Sequence, residues 1–189
     1  EPLASGEAVL TTEEKDLGTA LMDLGGGTSD LAIFSGKNIK HTFVLALCGN
    51  NLTNDIAVGL RAPQTEAEKI KKKYGTCLGR EISGDEMIEV PGLGGREPRK
   101  LPRQILGEIL EPRMEEIFEL TQREIFWAGM ENIIPSGFVL TGGNLGSIGS
   151  VLVGHRLSLS LVMVDDVPYT QMSVDRVPEV LAACGCVLV

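Results

Sequence analysis

Apolar and polar positions along the chain follow two rhythms. Residues 19–24 (TALMDL), 30–34 (DLAIF) and 39–47 (IKHTFVLAL) are short apolar runs separated by polar or glycine-rich turns at 25–28 and 35–38. That pattern predicts three consecutive strands joined as an antiparallel meander. Residues 3–10 read as a short helix, and residues 11–16 (TTEEKD) as a polar loop. Beyond residue 48 the spacing changes: Leu52, Ile56 and Leu60 recur every four residues and share one face of a helix over 51–60. Pro63 punctuates, Thr65 offers a cap, and residues 66–74 form a second helix ending at Gly75. Short strands are expected over 80–90, followed by a loop in the glycine and proline cluster at 91–98. Ile105, Ile109, Ile117 and Leu120 predict helix over 101–126, which Pro112 should kink or restart because it lacks the N–H its turn requires. After Pro135 the pattern returns to strand at 137–140. A glycine turn, a further helix, a strand-like run at 159–164 and a last helix from Pro178 complete the reading.

The meander carries the most informative chemistry. In residues 21–34 (LMDLGGGTSDLAIF) an acidic residue, three glycines and a hydroxyl lie between two apolar strands. Gly25, Gly26 and Gly27 fall where the backbone must turn tightly, and glycine leaves amide N–H groups bare, forming a nest for anions. Thr28 adds a hydroxyl donor. Asp23 suits the waters of a magnesium ion, which prefers oxygen ligands and keeps much of its hydration shell. A glycine-rich hairpin without a ligand is the plain alternative.

Other short motifs weigh against that alternative. Residues 1–5 (EPLAS), 23–30 (DLGGGTSD), 140–143 (LTGG) and 178–187 (PEVLAACGCV) resemble, in order, four of the five nucleotide-site motifs of the actin, Hsp70 and sugar-kinase superfamily. They correspond to the first connecting motif, second phosphate loop, adenosine motif and second connecting helix. The fifth motif, a first phosphate loop, has no counterpart. Within the superfamily the resemblance narrows to the bacterial cell-division family FtsA, through residues 2–34, 52–60 (LTNDIAVGL), 66–75 (EAEKIKKKYG) and 94–118 (GGREPRKLPRQILGEILEPRMEEIF). It is close over about 2–143 and loose beyond. Residues 145–169 fit least, since Gly146, Gly149 and Gly154 interrupt the helix that should follow Asn144.

This resemblance implies an α/β fold: an actin-like, ribonuclease H-like ATPase core with a smaller inserted α/β subdomain. Residues 1–17 would end a preceding N-terminal half. Residues 18–48 plus 133–189 would form the nucleotide-binding core, and 49–132 the insertion. ATP with Mg2+ is the implied cofactor, held by Asp23, Gly25, Gly26, Gly27, Thr28, Glu68, Lys71, Gly142 and Gly143, with Asp23 serving the metal. Glu68 and Lys71 lie three apart on one helical face and by resemblance bracket the ribose and adenine; the plain reading is a solvated ion pair. Glu1 is the candidate for orienting the attacking water. Hydrolysis is expected to be weak at most, and absent in the isolated chain, because half of the phosphate cradle is missing.

Composition narrows the partners. A formal charge of −9 argues against a nucleic-acid surface, which needs a dominant basic patch. With 43% hydrophobic and 23% charged residues the chain reads as an ordinary globular protein. Its apolar runs fall short of the roughly 20 residues that span a bilayer. Cys48, Cys77, Cys184 and Cys186, with only His41 and His155 beside them, make no recognisable zinc set and read as small core residues.

Arg96, Arg99, Lys100, Arg103 and Arg113 gather five of the 17 cations into one short stretch of an acidic chain. A solvated helix face is the plain reading. Arginine nevertheless suits a bidentate grip on carboxylates, and the resemblance implies that Arg99, Arg103 and Arg113 dock the acidic C-terminal tail of FtsZ. The family further implies self-association into filaments and a cytoplasmic location against the inner face of the membrane at the division site. Its anchor is expected outside this chain, because the final AACGCVLV lacks a basic and apolar helical pattern. An Hsp70-type chaperone and a small-molecule kinase are the alternatives within the superfamily.

Overall fold

Strand β1 (Thr19–Leu24) is almost entirely buried, and that single fact organises the sheet around it. An antiparallel strand with one solvated face alternates; one covered on both faces does not. β1 pairs antiparallel with β2 (Ser29–Ser35) and parallel with β6 (Phe138–Thr141). The computed structural model describes residues 2–77, 83–92, 97–143 and 161–163. Within them the sheet runs β3 (Asn38–Leu45), β2, β1, β6, β7 (Leu161–Met163), with β6 and β7 also parallel. The meander is therefore the antiparallel half of a mixed sheet. On β3, His41 pairs with Ile33 but Ile39 pairs with Phe34, so Lys40 is an extra, bulged residue. His41 and Ile39 consequently turn to opposite faces.

One face of the sheet, built from Ala20, Met22, Leu24, Leu31 and Ile33, shares a continuous core with the elements between β3 and β6. These are α3 (Gly49–Leu60), α4 (Gln64–Tyr74), the two-stranded pair β4 (Met87–Val90) and β5 (Arg99–Pro102), and α5 (Gln104–Trp127). Leu52, Ile56 and Leu60 enter this core as their spacing predicts. The other face, with Leu21, Ala32, Phe34 and Val139, packs with Leu10 and Val9. Helix α1 (Pro2–Val9) comes so close here that a Cβ on Gly6 would lie 2.5 Å from the Phe34 ring. Among the described residues no helix is long and apolar enough to cross a membrane.

Several elements depart from the pattern. Residues 11–16 are not a loop: Thr12–Leu17 is a helix, α2, with a capping box in which the Thr11 hydroxyl accepts from the Glu14 amide while Glu14 accepts from the Thr11 amide. Helix α4 begins at Gln64 after Pro63 and not at residue 66 behind a Thr65 cap. Residues 99–102 form a strand that takes in the start of the helix expected from residue 101, because the pairing of Met87 with Pro102 and Val90 with Arg99 takes precedence. Pro112 does not break α5. It lies on an exposed face beside the exposed Glu108, whose carbonyl loses its i+4 donor on the solvent side. The helices expected after Gly143 and from Pro178 lie outside the described residues, as do Cys184 and Cys186.

Gly18 joins α2 to β1 with φ +119, and a Cβ there would fall 1.9 Å from the Ile133 carbonyl oxygen. The next residues hold the same turn, with Thr19 Oγ1 donating to Gly137 O at 3.1 Å and Ser136 N–H to Gly18 O at 2.9 Å. Gly18→Ala is expected to destabilise the fold by about 3 kcal/mol or more, combining backbone strain with a clash against backbone. Denaturant unfolding measures it; a loss under about 1 kcal/mol would show that this junction gives way freely.

Candidate functional site

At the end of the β1–β2 ladder Leu24 pairs with Ser29, leaving residues 25–28 as the hairpin tip. Gly25 N–H donates to Thr28 O at 2.9 Å and closes it. The first turn of α3 supports the tip from one side: Gly49 N–H donates to Gly25 O at 3.3 Å, and Asn50 N–H to Gly26 O at 2.7 Å. Ser29 Oγ donates to Leu47 O at 2.7 Å and fixes the approach of the chain to α3. Gly26, Gly27 and Thr28 are exposed. A Cβ on Gly26 or Gly27 would meet nothing nearer than the Asn50 carboxamide, at 3.8 and 3.9 Å.

None of the three glycines has a left-handed φ, so tight turning is not what demands glycine here. At Gly26 and Gly27 glycine provides uncovered amides on an open ribbon, while at Gly25 a Cβ would crowd Thr28 O at 3.0 Å. Thr28 also departs from expectation, since its hydroxyl donates to Asp30 Oδ2 at 2.9 Å, back into the hairpin.

Asp23 is held from three sides at the root of this tip. Ser5 Oγ on α1 donates to its Oδ2 at 2.5 Å. Asp30 is its partner across β2 and Thr141 across β6. Gly142 follows directly with φ +115, and a Cβ there would lie 2.6 Å from Leu24 N and O and 2.7 Å from Asp23 Oδ1. Glycine is obligatory at that position, and the turn at Gly142 and Gly143 thereby lies against the root of the hairpin.

Two aspartates directly opposite on neighbouring strands repel each other, and Ser5 and Thr28 supply one hydroxyl donor to each. Such carboxylates suit the water shell of a magnesium ion better than an all-protein cage. No three metal-binding side chains converge among the described residues. Glu1 lies outside those residues.

Glu68 and Lys71 on α4 do meet, with Nζ 2.8 Å from Glu68 Oε2. Lys71, however, is 1% exposed, and its ammonium also donates to Gly49 O at 2.9 Å and Thr53 Oγ1 at 2.8 Å. The ammonium thus has acceptors in Gly49, Thr53 and Glu68, and Lys71 fastens α4 to the first turn of α3. Glu68 remains half-buried and accepts a short hydrogen bond from Thr53 Oγ1, with Lys72 Nζ at 3.3 Å. Burial by itself would raise the Glu68 pKa. The hydrogen bonds from Lys71 and Thr53, the charge of Lys71 and the contact with Lys72 outweigh it and bring the pKa down to about 2. Cys48 and Cys77 are buried free thiols whose pKa values burial raises, which makes them poor nucleophiles.

The three arginines proposed for a partner make intramolecular bonds. Arg99 Nη2 donates a short hydrogen bond to Leu60 O at the end of α3. Arg103 donates through Nε to Tyr74 O at 3.0 Å and through Nη1 to Glu86 at 2.7 Å. Arg113 grips Asp55 of α3 with Nε at 2.7 Å and Nη2 at 3.2 Å, and also bonds Glu116. Sequence spacing did not single out Ser5, Thr53 or Asp55. Only the i+3 spacing of Glu68 and Lys71 pointed to this region, and it named two of the four groups that meet there, leaving out the Gly49 carbonyl and Thr53.

The class is defined by this sheet and hairpin. MreB5 of Spiroplasma citri bound to ADP matches with a TM-score of 0.71 at 22% identity, over 86% of this chain and 53% of that one. The MamK double helical filament matches at 0.62 and 18% identity over 87% and 54%. The PilM–PilN type IV pilus biogenesis complex matches at 0.58 and 21% identity over 87% and 39%. The fold is that of the actin-like ATPases.

The family model for cell division protein FtsA matches residues 20–183. FtsA of Pseudomonas aeruginosa is 46% identical over 157 residues, 83% of this chain and 38% of that protein. FtsA of Bacillus subtilis is 36% identical over 187 residues, 99% of this chain and 42% of that protein. This chain belongs to the FtsA family, and it spans about two-fifths of the length of these relatives.

The folded pKa of Glu68 lies below its ordinary value of 4.5, so its contribution to stability is fully present above that pH and is lost as pH falls through about 2. Glu68→Gln is expected to flatten the acid limb of the stability profile across this window. Denaturant unfolding at a series of pH values checks it, and parallel limbs for the two proteins would remove Glu68 from the linkage.

Proposed function

We propose that this chain forms the nucleotide-facing and FtsZ-facing part of an actin-like division scaffold. In this reading residues 18–48 and 133–189 make the nucleotide-binding core, 49–132 the inserted subdomain, and 1–17 the end of a preceding half. The phosphates of ATP lie along the bare amides of residues 26–28, with hydrated Mg2+ near Asp23. The turn at Gly142 and Gly143 approaches the base, and Glu68 faces the ribose, braced by Lys71. The observation that carries the proposal is convergence: an exposed ribbon of amides, a carboxylate pair at its root and an obligatory glycine turn all meet at the ends of β1 and β6. MreB5 with bound ADP or AMPPNP, on a similar fold, supports the ligand class, and the MamK filament supports self-association.

Positioning and charge stabilisation supply most of the catalysis in phosphoryl transfer. Here Asp23 would order the ion's water shell, Glu1 would orient the attacking water, and turnover would be slow. The scaffold would tether FtsZ beneath the membrane at the division site through the acidic FtsZ tail. Arg99, Arg103 and Arg113 would then serve twice, as internal braces and as a basic rim: the bonds described engage three of the five N–H donors of Arg113. Membership of the FtsA family disfavours the chaperone and small-molecule kinase readings.

In the full-length protein Gly26→Val is expected to abolish ATP binding in a titration, by covering the amides; undiminished affinity would remove the phosphate role. An acidic FtsZ-tail peptide should bind at micromolar concentration and lose at least about tenfold in affinity with Arg99→Glu. Because Arg113→Glu also breaks the bond to Asp55, it is paired with the swap Asp55→Arg/Arg113→Asp, which keeps the internal pair. Tail binding unaffected by Arg99→Glu and by the swap would place the tail elsewhere.

A further inference from the structure

A helix N-terminus next to a phosphate nest ordinarily contributes its own amides to the anion. Helix α3 has none to give. Gly49 N–H is bonded to Gly25 O and Asn50 N–H to Gly26 O, while the Asn51 and Leu52 amides both donate to Cys48 O, at 2.9 and 3.3 Å. Any contribution from this side of the cleft must come from a side chain. Asn51 is engaged, its Oδ1 accepting from Cys48 N–H at 3.0 Å. Thr53 is engaged with Gly49 O, Lys71 and Glu68. Asn50 is exposed, and its carboxamide makes no hydrogen bond among the described residues. It is also the nearest group to the space above Gly26 and Gly27, at 3.8 and 3.9 Å from where their Cβ atoms would stand.

We propose that Asn50 is a phosphate-binding residue, its Nδ2 extending the bare amides of the hairpin tip by one neutral donor on the α3 side. This rests on the nucleotide reading above. A carboxamide suits the position because it donates without charge, whereas a carboxylate there would repel the phosphate chain and have no proton to give. The backbone of the same residue holds the carbonyl of Gly26, so the donor moves with the ribbon it serves.

The test uses the full-length protein with ATP, comparing wild type, Asn50→Ala and Asn50→Asp. Ala removes only the carboxamide and keeps the Asn50 N–H to Gly26 O. Asp copies its shape, so a merely structural role would make Asp the milder change. Asn50→Ala is expected to weaken ATP binding by about tenfold, the scale of one hydrogen bond to a charged group, and Asn50→Asp by clearly more. Melting of the nucleotide-free variants should stay close to that of wild type. Wild-type binding left unchanged by Asn50→Ala, or an Asp variant milder than Ala, would overturn the role of Asn50 alone. Failure of wild type to bind ATP would overturn the nucleotide reading and this inference with it.

Discussion

An ammonium group removed from water must be answered by acceptors at hydrogen-bond distance, or its burial costs several kcal/mol. Lys71 meets that demand with the Gly49 carbonyl, the Thr53 hydroxyl and the Glu68 carboxylate. The consequence travels along the backbone. Fixing the Gly49 carbonyl fixes the first turn of α3, and the amides of that turn hold the carbonyls of Gly25 and Gly26. One buried charge on α4 thus helps to position an exposed glycine ribbon through the first turn of α3.

Similar polar ties mark the other seams. Arg113 with Asp55 binds α5 to α3, while Arg99 and Arg103 bring β5 and the start of α5 onto the last carbonyls of α3 and α4. Beneath these ties one apolar cluster runs from the β-sheet through α3, α4 and α5 without a break. Apolar contact brings the layers together non-directionally, and the directional bonds at their margins set register. On the opposite face Ser5 reaches Asp23 because α1 descends onto Phe34 through Gly6.

Likeness to MreB5 and MamK at 18 to 22% identity reflects this separation of roles. The fold persists under wide drift in sequence, since many apolar residues fill a core equally well. Fold alone does not assign function. The narrower match to FtsA covers the core strands as well as the segment from β5 into α5.

Much was legible in the chain itself. Alternation and glycine placement located β1, β2, β3 and their turns, four-residue spacing located α3, and the motifs marked Asp23, the three glycines and Gly142. Helix α2 was legible too, in the capping pair Thr11 and Glu14, although composition argues for a loop. These signals are local, carried by residues a few positions apart. What only the tertiary structure decided was which polar groups face a cleft and which answer one another. The spacing of Glu68 and Lys71 places them on one helical face but is silent on the carbonyl of Gly49 that draws Lys71 inward. The run of arginines reads as a surface until Leu60, Tyr74 and Asp55 come into reach. The glycines of the tip look like turn formers until their φ angles prove ordinary and their exposure gives the reason. Burial and partnership depend on residues distant in sequence, and no local pattern encodes those distances.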